Sequence, residues 1–75
     1  MPYVDIKSYP RDEETTRRLV EKINAALLDV LGCPPEAVTI AFRGVAPENW
    51  RADVEEKIIA PNDDAIMIRN GQKRY

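Results

Sequence analysis

The sequence predicts an α+β fold built on one βαβ unit, with a two-stranded parallel sheet completed by another copy of the chain. Three observations lead there. Two short segments alternate apolar and polar residues with the period of a half-buried strand, and one long amphipathic stretch lies between them. With only 75 residues, the chain has no material left to cover both faces and both edges of such a sheet.

From Tyr3 to Ser8, Val4 and Ile6 fall on one side and Tyr3, Asp5 and Lys7 on the other, as in a half-buried strand. Tyr9 and Pro10 end this first strand. Asp12 then serves as a helix N-cap, with Glu13 and Glu14 in the first turn, where acidic groups complement the helix dipole. Steps of 100° place Leu19, Val20, Ile23, Ala26, Leu27, Val30 and Leu31 on one stripe, with Leu28 outside it. Glu13–Arg17 and Glu14–Arg18 have the favourable i,i+4 order, each adding about 0.3 kcal/mol. Gly32 supplies the C-cap, and Pro34 with Pro35 stops the helix.

Val38 to Phe42 alternates again and is read as the second strand, with Val38, Ile40 and Phe42 on one face and Thr39 and Ala41 on the other. Two strands joined by a helix of this length run parallel, through a right-handed crossover. Beyond them, Ala46 to Ile59 reads as a loop and short helix ending at Pro61, with Trp50, Val54 and Ile58 at i, i+4 and i+8. In the tail, Ile66, Met67 and Ile68 either close a short helix begun at Asn62 or form a strand leading into the Asn70–Gly71 turn. The helix is the slightly preferred reading. Residues 1–75 are read as a single domain.

Composition narrows the chemistry. Cys33 is the only cysteine and histidine is absent, which excludes an intrachain disulfide and a Cys/His zinc site, so no metal is expected. A net charge of −2 with both signs interspersed carries no basic footprint for nucleic acid. No apolar run is long enough for a signal peptide core or a membrane span, so no membrane partner is expected and the protein is read as cytoplasmic. A chain of this size is marginal as a monomer, and association is the remaining route to stability.

With no histidine and no glycine-rich phosphate loop, the candidate base is the N-terminus. Met1 precedes a small residue, and its removal would leave Pro2 with a free secondary amine. An α-amino group titrates near pH 7.7–8.0 in isolation, and an apolar site or neighbouring cations would bring it closer to neutrality. Elsewhere, Cys33 reads as a small hydrophobe rather than a nucleophile, Asp63 and Asp64 as helix-start acids rather than a cation site, and Lys73, Arg74 and Tyr75 as a polar tail.

The start Met1-Pro2-Tyr3-Val4-Asp5-Ile6-Lys7, the single amphipathic helix, the run Gly32-Cys33-Pro34-Pro35-Glu36-Ala37-Val38 and the loop Pro47-Glu48-Asn49-Trp50 together resemble the 4-oxalocrotonate tautomerase family. Tyr9-Pro10-Arg11 and Pro47-Glu48-Asn49-Trp50 bring the chain closest to its short phenylpyruvate-tautomerase-like branch. The resemblance implies a tautomerase-like protomer and a cofactor-independent isomerase acting on a small molecule. It further implies a homo-oligomer, either a dimer or a trimer of dimers. It assigns Pro2 as catalytic base, Arg11 as carboxylate anchor and Trp50 as an apolar wall. Thr39 occupies the substrate-binding position where the type enzyme has a second arginine, which turns the expected substrate from a dicarboxylate to a monocarboxylate or aromatic 2-oxo acid. Arg43, at the end of the second strand, reads as a solvated charge. Two alternatives share the same residues: hydration, dehalogenation or decarboxylation of a related unsaturated acid, and a non-enzymatic oligomeric binding module.

Overall fold

The sheet follows from the alternation at both ends of the chain's first half. In the computed structural model, which describes residues 1–75, β1 (Tyr3–Ser8) and β2 (Thr39–Gly44) pair in parallel, with Tyr3 opposite Thr39 and Ser8 opposite Gly44. They are joined by α1 (Glu13–Leu31). The second strand starts one residue later and ends two residues later than its alternation predicts. A 3-10 turn at Pro35–Ala37 draws Val38 into a bond from its N–H to the Pro35 carbonyl at 3.3 Å, while Arg43 and Gly44 find partners in Lys7 and Ser8.

Both ends of α1 are fixed by the residues that the sequence marks for them. The Asp12 carboxylate accepts from the Thr15 N–H at 3.3 Å, and this hydrogen bonding holds its pKa below the usual carboxylate value. Gly32 sits at φ 65, in the left-handed region that glycine enters without a Cβ penalty, and donates to the Leu28 carbonyl at 3.1 Å. Of the two expected ion pairs only Glu13–Arg17 forms, at 2.7 Å.

The buried side of α1 differs from the expected stripe. Thr16, Val20, Ile23, Asn24, Leu27 and Leu28 are half-buried, whereas Leu19 (39% exposed), Ala26, Val30 (79%) and Leu31 are exposed. Leu28 therefore lies inside and the stripe is rotated. With Leu28 included, the eight apolar positions form an arc wider than one sheet face covers, and the sheet selects the part that meets Val4, Ile6, Ile40 and Phe42, all half-buried. The opposite sheet face presents Tyr3, Asp5, Thr39 and Arg43 exposed.

The chain divides into two compact units, Met1–Val45 and Ala46–Tyr75. In the second, α2 (Pro47–Trp50) continues into a π-helical segment, Arg51–Ile59, and a 3-10 segment, Ala60–Ala65. Pro61 does not end this helical run as expected. It stands in the first turn of the tighter segment, where its missing N–H costs little. The kink falls at Asn62, with φ −111, whose side-chain amide donates to the Ile58 carbonyl at 2.8 Å. The widened π turns also shift the apolar period. After half-buried Trp50 and buried Val54 (4% exposed), the next inward apolar residue is Ile59, five positions on, and Ile58 is exposed.

The tail resolves in favour of the strand, and Ile66 to Ile68 do not close a helix. β3 (Ile68–Arg69) and β4 (Gln72–Lys73) form an antiparallel hairpin around Asn70 and Gly71, at φ 50 and φ 79. Two successive positive φ values give the turn whose twist suits a two-residue hairpin, and Asn-Gly tolerates them best. Asp63 is held by Arg74, whose two terminal nitrogens donate to its carboxylate at 2.9 and 3.0 Å, and this pairing lowers the Asp63 pKa. Arg69 reaches Glu55 at 3.0 Å.

Candidate active site

Pro2 and Thr39 meet at one end of the parallel sheet. Pro2 is half-buried just before β1, and its carbonyl accepts from the Thr39 N–H at 3.1 Å. This bond fixes the backbone at the position of the candidate base, and the register opposite Thr39 brings Tyr3, 63% exposed, to the same sheet face as the Thr39 side chain. Met1 is 99% exposed. While Met1 is attached, the Pro2 nitrogen is a tertiary amide without usable basicity. The chemistry expected of it needs the free amine.

Arg11 belongs to the opposite end of that sheet. Six residue steps of about 3.3 Å carry β1 roughly 20 Å from Pro2 to Ser8. There the Val45 N–H donates to the Ser8 carbonyl at 2.8 Å, and a Cβ on Gly44 would stand only 3.2 Å from the Pro10 Cα. The glycine thus lets the end of β2 close against the Pro10–Arg11 corner. Arg11 is exposed and forms no ion pair with Asp12, Glu13 or Glu14. Pro2 and Arg11 of one chain are separated by more than an arginine side chain can span.

Trp50 closes α2 in the second unit and is half-buried. In that unit an open depression of about 380 Å³ is lined by Asp63, Arg69, Asn70, Gln72, Lys73 and Arg74. Its two arginines are already paired with Glu55 and Asp63. Cys33 is a free, half-buried thiol, and no group of three or more potential ligands gathers to hold a metal ion. No local pattern marks the Gly44–Pro10 contact, because a close approach between loop and strand end depends on register.

No helix is long and apolar enough to cross a membrane. Residues 2–57 match the profile of a family described as tautomerase enzyme. Among curated proteins, the chain is 32% identical over 73 residues to Tautomerase PptA of Pectobacterium atrosepticum, covering 95% of this chain and 96% of that one. It is 30% identical to Tautomerase PptA of Pectobacterium carotovorum subsp. carotovorum and 32% identical to that of Escherichia coli O157:H7, each over the same shares of both chains. The βαβ unit expected from the alternation and helix stripe is present, the match spans it from Pro2 onward, and the chain belongs to the tautomerase family, whose members are isomerases of small molecules.

Proposed function

We propose that this tautomerase interconverts the enol and keto forms of a monocarboxylate or aromatic 2-oxo acid, with the free amine of Pro2 as its base and no cofactor. In ketonisation the amine takes the proton of the 2-hydroxyl as the carbon–oxygen double bond forms. It then returns that proton to C3, where the carbon–carbon double bond was. The mass of the substrate is unchanged and Pro2 is regenerated. Arg11 pairs with the carboxylate in fork geometry, Thr39 lines the site as a neutral neighbour, and Trp50 supplies an apolar wall that limits water. The single observation that carries this reading is the half-buried Pro2 anchored to Thr39 at the end of a parallel sheet. Turnover of a panel of enolisable 2-oxo acids by protein beginning at Pro2, with no added cofactor, tests it. A protein that enolises none of them overturns it.

The distance between Pro2 and Arg11 favours a site assembled from more than one copy, in which residues 1–75 act as one domain and Arg11 comes from a neighbour. The packing of the single chain supports association as well. Only Val54 is buried, still 4% exposed, and a core of one buried residue is too small to offset the entropy of ordering 75. Exposed Leu19 and Val30 on α1 offer apolar area to a partner copy. We expect sedimentation equilibrium to give a dimer or a trimer of dimers in the cytoplasm-like range of salt and pH. A folded monomer at micromolar concentration would remove the shared site.

A further inference from the structure

The sheet end that carries Arg11 holds a second unpartnered arginine. Arg43 is exposed, stands opposite Lys7 in the parallel register and precedes Gly44. The closeness of Gly44 to Pro10 limits the separation of Arg11 and Arg43: with consecutive Cα atoms 3.8 Å apart, their Cα atoms lie no more than about 12 Å from each other. Two extended guanidinium side chains can close that gap on one small anion.

None of the nearby carboxylates pairs with either arginine. Asp5 is held by Lys7 at 2.6 Å, Asp12 by the Thr15 N–H at 3.3 Å and Glu13 by Arg17 at 2.7 Å, while Glu14 pairs with neither arginine. Of the three cations at this end, Lys7 is paired on its own strand, and Arg11 and Arg43 form no ion pair. Two like charges at this range repel when the site is empty, and a carboxylate placed between them removes that repulsion while gaining two attractions. Both arginines lie at the carboxyl end of the parallel sheet.

We propose that Arg43 joins Arg11 in a two-arginine clamp on the single carboxylate of the 2-oxo acid, an assignment that rests on the function proposed above. The clamp accounts for carboxylate binding in a chain that carries threonine at position 39, and it makes Arg43 a binding residue rather than a solvated charge.

Titration of the full chain with phenylacetate, an unreactive aromatic monocarboxylate, and with phenylacetamide, its neutral counterpart, isolates the clamp from catalysis. Arg43→Gln is expected to weaken phenylacetate roughly tenfold and to leave phenylacetamide unchanged. Arg43→Lys should recover part of the loss, because the charge stays and the fork is gone. Arg11→Gln combined with Arg43→Gln should cost less than the product of the single effects, since both act on one carboxylate. Unchanged phenylacetate affinity in Arg43→Gln, equal losses for both ligands, or no phenylacetate binding by wild type would each overturn the clamp. A wild type that binds phenylacetate through Arg43 yet enolises no 2-oxo acid keeps the clamp and overturns the reaction. Turnover of 2-oxo acids with an unaltered KM in Arg43→Gln keeps the reaction and overturns the clamp.

Discussion

Homogeneous protein that still carries Met1 should show tautomerase activity lower by about 10²–10⁴-fold than protein beginning at Pro2, the range that a positioned general base contributes. The cause is electronic: acylation by Met1 withdraws the nitrogen lone pair into an amide and leaves no base at the sheet end. Pro2→Ala should be impaired in the same direction. Its processed form offers a primary amine without the rigid ring, so the base is both less constrained and differently placed. The pH dependence gives an independent check. Only the neutral amine accepts a proton, so activity should be low in acid and rise with pH through a single ionisation. That ionisation should fall below the isolated α-amino range of about 7.7–8.0, because partial burial and arginines brought to the site disfavour the ammonium. Intact mass fixes the state of the N-terminus in each preparation, and initial rates across the pH range supply the profile. Full activity with Met1 in place, or from Pro2→Ala, would rule out the amine and move the proton to water or a carboxylate.

Arg11→Ala should lower kcat/KM for a 2-oxo acid by roughly 30–150-fold, about 2–3 kcal/mol, through loss of a charge-assisted hydrogen bond. An ester or aldehyde analogue lacks the carboxylate and should lose far less. Equal losses on acid and ester would make Arg11 a structural residue of the corner that closes on Gly44. The strand of roughly 20 Å between Pro2 and the Arg11 corner adds a sharper test, because a shared site needs only one intact copy of each residue. Pro2→Ala and Arg11→Ala chains, each impaired alone, should regain part of the wild-type rate when unfolded and refolded together. No recovery from co-assembled chains would show that both residues serve from the same copy.

How far the sequence reaches is seen best along α1. Asp12, Gly32, Pro34 and Pro35 set its ends without help from any distant residue, since caps and proline stops act through the nearest backbone groups. The same locality made β1 readable to the residue, and the Asn70–Gly71 turn was visible as one of two alternatives. For the tail, periodicity could not choose between them. Three apolar residues in a row suit either conformation, and the choice falls to contacts beyond them: the Arg74 N–H to the Met67 carbonyl and the Arg74 side chain to Asp63.

What the sequence determined by itself was the βαβ order, the limits of its long helix, the lack of histidine and of an intrachain disulfide, and a candidate base at Pro2 supported by family resemblance. These depend on short-range preferences or on residue type alone. Tertiary structure alone decided which arc of α1 is buried, because Leu28 and Leu19 are equally apolar and only the sheet beneath them distinguishes inside from outside. It alone carried the helical run past Pro61, through a change of pitch that no 100° wheel anticipates. It also separated Arg11 from Pro2 and drew Arg43 towards Arg11, since strand register and the missing Cβ of Gly44 fix distances between residues that are remote in the chain.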